Sequence, residues 1–125
     1  MRKYPLLITG LLLCTMIAGI YFWANQLDRI EVMSFTMEEV DWYHADNICS
    51  QAGSGWTLPS ISQLIGLFYF NPDASWNRAT DYWSETRINN YGFGLNTRLG
   101  ILSFDVLHDQ DHFICVRDKQ LLVIR

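Results

Sequence analysis

The chain has 125 residues, a net charge of −4 and hydrophobic residues at half of its positions. That length holds one small domain and excludes a large multi-domain enzyme. An aromatic share of 14% excludes disorder throughout, and an acidic balance without a basic face excludes a nucleic-acid binder.

The N-terminus differs sharply from the rest. A four-residue basic start, with Arg2 and Lys3, precedes PLLITGLLLCTMIAGIYFWA, which runs from Pro5 to Ala24 without a charge. As a helix it spans about 30 Å, the thickness of a bilayer core. The basic flank places the four-residue tail in the cytoplasm by the positive-inside rule, and Tyr21, Phe22 and Trp23 suit the far membrane interface. Cleavage as a signal peptide is disfavoured because Phe22 occupies a small-residue position. Lipidation at Cys14 is disfavoured because Leu11-Leu12-Leu13 lacks the small residue expected before it. The segment therefore reads as an uncleaved signal anchor over 5–24, followed by a connector over 25–35 and an exported domain over 36–125.

All 13 acidic residues lie beyond the anchor, so without Arg2 and Lys3 the exported part carries a net charge of −6. Such a domain stays soluble and does not lie flat on anionic head groups. Cys49 and Cys115 sit near its two ends, and two cysteines in an oxidising compartment suggest one disulfide. Two unpaired buried thiols are the alternative.

Thr36 and Glu39 have capping-box spacing, which predicts a helix over 37–51 that stops at Gly53 and turns Met37, Val40, His44 or Ala45, and Ile48 inward. Ser60 and Gln63 repeat the spacing after Pro59, and Ile61, Leu64, Ile65, Leu67 and Phe68 predict a second helix to Tyr69. Asn71-Pro72-Asp73 ends it. Strands follow at 81–86 (DYWSET), 91–95 (YGFGL), 101–107 (ILSFDVL) and 112–116 (HFICV), with 96–100 as a hairpin turn and 121–124 (LLVI) as an edge strand. Helices followed by an antiparallel sheet make an α+β domain.

Four motifs occur in a recognisable order: Ala45-x-x-x-Cys49 on the first helix, Gly55-Trp56-Thr57-Leu58-Pro59-Ser60 leading into the second with Gln63-Leu64 inside it, Tyr82-Trp83-Ser84-Glu85-Thr86 on a strand, and Cys115-Val116-Arg117 near the end. Together they resemble the bacterial DUF1566 (Lcl C-terminal) family of the C-type-lectin-like superfamily, over about Asp41 to Asp118. The resemblance implies a C-type-lectin-like fold of two helices and a small antiparallel sheet, its first helix tied to its last strand through Cys49 and Cys115. It also places the anchor in a bacterial inner membrane and the domain in the periplasm. Thr57, Gln63 and Glu85 depart from the family's usual Arg, Glu and Ser.

Trp56, Leu58, Pro59, Trp83 and Arg117 read as structural motif residues, with Tyr82 and Trp83 on opposite faces of a strand, one inward and one outward. Trp76 lies in a polar stretch and is expected to be exposed. With Asn77, Arg78, Arg87 and Asn89 it is the candidate ligand contact, on loops 71–80 and 87–90. His108-Asp109-Gln110-Asp111-His112 has metal-ligand residue types but reads as a solvated loop, and the sequence offers no calcium-dependent sugar signature, nucleophile elbow or P-loop. The expectation is a non-enzymatic recognition module without metal or cofactor, binding a membrane or periplasmic protein or a glycan. The alternative is a single-pass accessory subunit of another inner-membrane protein, using Gly10, Ala18 and Gly19 for helix contact.

Overall fold

A computed structural model describes residues 4–27, 29–34, 39–70 and 76–118, with side chains in the first helix described over 10–21. The elements in chain order are α1 (Tyr4–Leu27), β1 (Ile30–Ser34), α2 (Trp42–Gln51), α3 (Ile61–Phe70), β2 (Asp81–Ile88), β3 (Tyr91–Asn96), β4 (Ile101–Val106) and β5 (Ile114–Asp118). The protein is α+β, with two small antiparallel sheets: β1 pairs with β5, and β2, β3 and β4 lie in that order.

The backbone of α1 is 24 residues long. Among the described residues, no helix is long and apolar enough to cross a membrane. The described side chains of α1, 10–21, account for about 18 Å of helix. Gly10 and every described α1 residue after it to Tyr21 are exposed.

The expected connector over 25–35 contains β1, a correction. Ile30-Glu31-Val32-Met33-Ser34 pairs in register with Asp118 back to Ile114, and its β-branched residues suit that ladder. The strand is invisible in isolation because its reason is the edge of β5.

The first domain helix also differs from expectation. It starts at Trp42, and Asp41 is its cap, accepting from the His44 backbone N–H at 2.8 Å. Thr36 lies outside the described residues. Val40 cannot join the helix because its N–H and C=O pair with Asp111 across an isolated bridge. The inward stripe is Trp42, Ala45 and Cys49. The second helix follows the sequence closely: the Ser60 N–H donates to Gln63 Oε1 at 2.9 Å, and the Gln63 N–H donates to Ser60 Oγ at 3.1 Å, a reciprocal capping box.

Two cores flank the three-stranded sheet. One joins α2 (Trp42, Ala45, Cys49) to Trp83, Leu107 and Phe113; the other joins α3 (Leu64, Leu67) to Tyr82, Leu95 and Ile114. Tyr82 and Trp83 therefore point to opposite faces, yet both are buried, correcting the expectation that one faces out. Trp83 lies against β3 because Gly92 leaves room: a Cβ there would come within 2.7 Å of its ring. Cys49 on α2 and Cys115 on β5 form a disulfide with Cα atoms 5.4 Å apart. The expected strand at 112–116 starts later, at Ile114, because His112 leaves for Tyr82 through a single parallel bridge. The proposed edge strand at 121–124 and the Asn71-Pro72-Asp73 turn lie outside the described residues.

Candidate functional site

The β2–β3 hairpin carries the most distinctive surface. Between Trp83 and Arg87 the register of β2 shifts against β3. The extra backbone is held from three sides. Ser84 Oγ donates to the Phe93 carbonyl at 2.6 Å and accepts from the Thr86 N–H. Trp42 Nε1 donates to the Ser84 carbonyl at 2.9 Å, and the Glu85 N–H donates to the Pro59 carbonyl at 2.8 Å. This bulge re-aims the end of β2. The chain then turns through Asn89, which adopts a left-handed φ of 54°, a conformation asparagine tolerates better than most residues.

Beyond the bulge, Ile88, Asn89, Tyr91, Phe93 and Phe104 line an open groove of about 270 Å³. Its walls are apolar and wet: Ile88 is 58% exposed and Phe104 66% exposed. The Phe104 ring centroid lies 6.1 Å from that of Tyr91 and 6.2 Å from that of Phe93. The groove exists because α3 covers the Tyr82–Leu95 end of this sheet face and stops short of the other. Phe104 belongs to β4, which has β3 on one side and no strand on the other among the described residues. Ile101, Leu102 and Val106 on the same strand are exposed as well. Natural edge strands are normally guarded by lysine, proline or bulges; β4 (Ile101–Val106) has Asp105 alone as a charge.

The sequence-derived contact residues divide between the two ends of β2. Arg87 and Asn89 stand at the groove end. Asn89 lines the groove, whereas the Arg87 guanidinium lies over the Trp42 ring at 4.9 Å and the Tyr43 ring at 5.5 Å and donates to the Tyr43 hydroxyl at 3.3 Å. Arg87 thus braces the hairpin on α2 through cation–π contact. Asn77 and Arg78 precede the opposite end of the strand. Asn77 Oδ1 accepts from the Ala79 N–H, and the Arg78 N–H donates to the Tyr82 hydroxyl.

Trp76 is a correction. It is 4% exposed, its ring centroid lies 5.1 Å from that of Tyr82, and its carbonyl accepts from the Tyr82 hydroxyl at 2.6 Å. Its sequence neighbours are polar, but its spatial neighbours are the apolar residues under α3. Of the structural motif residues, Trp56, Leu58, Pro59 and Trp83 are buried. Arg117 lies 4.6 Å over the Trp56 ring and donates to Glu31 Oε2 at 2.6 Å.

A carboxylate cluster was not legible in the sequence. Asp81, Asp105 and Asp111 each place an oxygen within 4.8 Å of the others. Burial, then a side-chain hydrogen bond with Asp105, then the charges of Asp105, Asp81 and Asp109 push the Asp111 carboxyl up to about 8. The histidines of the 108–112 stretch go elsewhere, His108 to the Tyr43 ring and His112 to the Tyr82 ring and Glu39. His44 binds Asp41, and Ser84 Oγ donates to the Phe93 carbonyl.

Compared with known protein families and with curated proteins, the chain finds no match.

Proposed function

We propose that the chain is a membrane-anchored recognition module with a C-type-lectin-like exported domain, and that it takes a protein partner in the groove at the β2–β3 turn. The observation that carries this reading is the exposed aromatic groove beside an unguarded edge strand. An apolar trough suits side chains of a protein, and an edge strand suits an extended segment laid along it. A glycan site would need more hydrogen-bonding groups than the Asn89 amide and the Tyr91 hydroxyl supply. The lectin-like part rests on the four motifs in order and on a disulfide joining the first domain helix to β5. The anchoring part rests on the uncharged 24-residue helix and its basic flank, with the domain on the periplasmic side of a bacterial inner membrane.

The test is affinity purification of the tagged full-length chain from gently solubilised membranes, with mass spectrometry of its companions. A partner retained by the parent and lost with Phe104→Ser supports groove recognition. A partner lost instead when α1 is exchanged for an unrelated apolar helix, and kept by Phe104→Ser, favours the accessory-subunit reading. No stoichiometric companion overturns both.

A further inference from the structure

The opposite end of the sheet offers a second apolar surface with a different occupant. The β3–β4 turn meets the last turn of α3, where the Tyr69 hydroxyl donates to the Gly100 carbonyl at 2.6 Å. Around this joint Tyr69, Phe70, Leu99, Ile101 and Leu102 are all exposed, Leu99 at 66%. Helix α1 packs against α3, so the apolar N-terminal helix and this surface share a neighbour. The turn itself carries a cation, although Asp81 of β2 accepts from the Asn96 side chain at its base at 2.9 Å. Asn96 to Leu102 contains Arg98 and no carboxylate, in an exported part whose net charge is −6. Aromatic and aliphatic side chains beside a cation, next to the uncharged helix α1, are the composition of an interfacial membrane contact.

We infer that the α3 terminus and the β3–β4 turn dip into the head-group region of the bilayer that holds α1. The occupant of this patch is lipid. Leu99, Ile101 and Tyr69 supply the apolar insertion, and Arg98 reaches a phosphate while its aliphatic stem lies along the patch. The contact orients the domain: the β2–β3 turn with Ile88, Asn89 and Tyr91, which bounds one end of the groove, lies at the far end of the same strands and points away from the lipid. This inference rests on the anchoring reading of α1 and adds an orientation to it.

The test uses the full chain in vesicles of phosphatidylethanolamine and phosphatidylglycerol, with an environment-sensitive fluorophore on one thiol at a time. Cys14, the free cysteine on α1, is labelled directly; Leu99→Cys and His108→Cys are labelled in a Cys14→Ser background. His108 follows Leu107, whose N–H binds the Asn90 carbonyl, and so marks the groove end. Brominated acyl chains report depth by quenching. The expected result is strong quenching at position 14, partial quenching with a blue shift at position 99, and none at position 108. Quenching at 14 but not at 99 overturns the inference and leaves the anchor standing. Absence of quenching at 14 overturns the anchor and the inference together. Equal quenching at 99 and 108 also overturns it, because the domain then has no fixed orientation.

Discussion

Ser84 Oγ reaches the Phe93 carbonyl at 2.6 Å across the interruption between β2 and β3. One hydroxyl stands in for a ladder hydrogen bond that the shifted register cannot make, and Ser84 is fully buried while doing so. Replacing Ser84 with alanine leaves a buried carbonyl and the Thr86 N–H short of a partner. The expected cost is about 1–3 kcal/mol, read as a lower denaturation midpoint. Because the bulge re-aims the end of β2 that carries Ile88, the same variant should weaken partner capture. Unchanged stability would mean that Trp42 and Pro59 hold the bulge alone.

The Cys49–Cys115 bridge closes a 66-residue separation between α2 and β5. In the chain-entropy account, a loop of that size stabilises the folded state by about 4 kcal/mol. Cys49→Ser should lower stability by that order and abolish the mobility difference between reducing and non-reducing gels. If the parent chain shows no such difference, the bridge does not form.

What the sequence revealed follows from how local each cause is. The Ser60–Gln63 box is legible because donor and acceptor lie three residues apart, and the structure contains it in full. The start of α2 is not legible in the sequence because Val40 pairs with Asp111, seventy-one positions away. Tyr82 and Trp83 alternate as the strand period demands, but alternation does not tell that α3 covers one face and α2 the other. The groove was half legible. Asn89 announced its turn, whereas Phe104 joins it only through the register of β4 on β3. Asp81, Asp105 and Asp111 come from two strands and a loop, and no spacing in the chain foretells their meeting.

Trp76 gives a direct test of core against contact. Its burial under α3 predicts that Trp76→Ala costs about 3–5 kcal/mol, as large aromatic truncations in cores do. Among the described residues its Nε1 is buried without a hydrogen-bond partner. Trp76→Phe keeps most of the apolar volume and removes that orphaned donor, so it should recover most of the loss. Urea denaturation of the two variants separates the possibilities. If alanine leaves stability untouched, Trp76 is a surface residue.

Phe104 makes the opposite prediction. It is largely exposed and on an edge strand, so Phe104→Ser should change stability by less than about 1 kcal/mol while removing one aromatic wall of the groove. Thermal melts of the purified chain and partner capture should therefore respond differently. A large fall in melting temperature would show Phe104 to be structural.

The carboxylate cluster predicts how stability varies with pH. Asp111 titrates near 8 in the folded chain and at about 3.9 when unfolded. Between those values the folded state binds the extra proton, so stability falls as pH rises through the window and levels off above it. Asp111→Asn preserves shape and a hydrogen-bond donor for Asp105 without a titrating charge. It should flatten the profile between about pH 4 and pH 8 and make the variant more stable than the parent at the upper end. Denaturation midpoints measured at steps across this range decide it: an unchanged slope in the variant would show that Asp111 ionises normally and that another group governs the pH response.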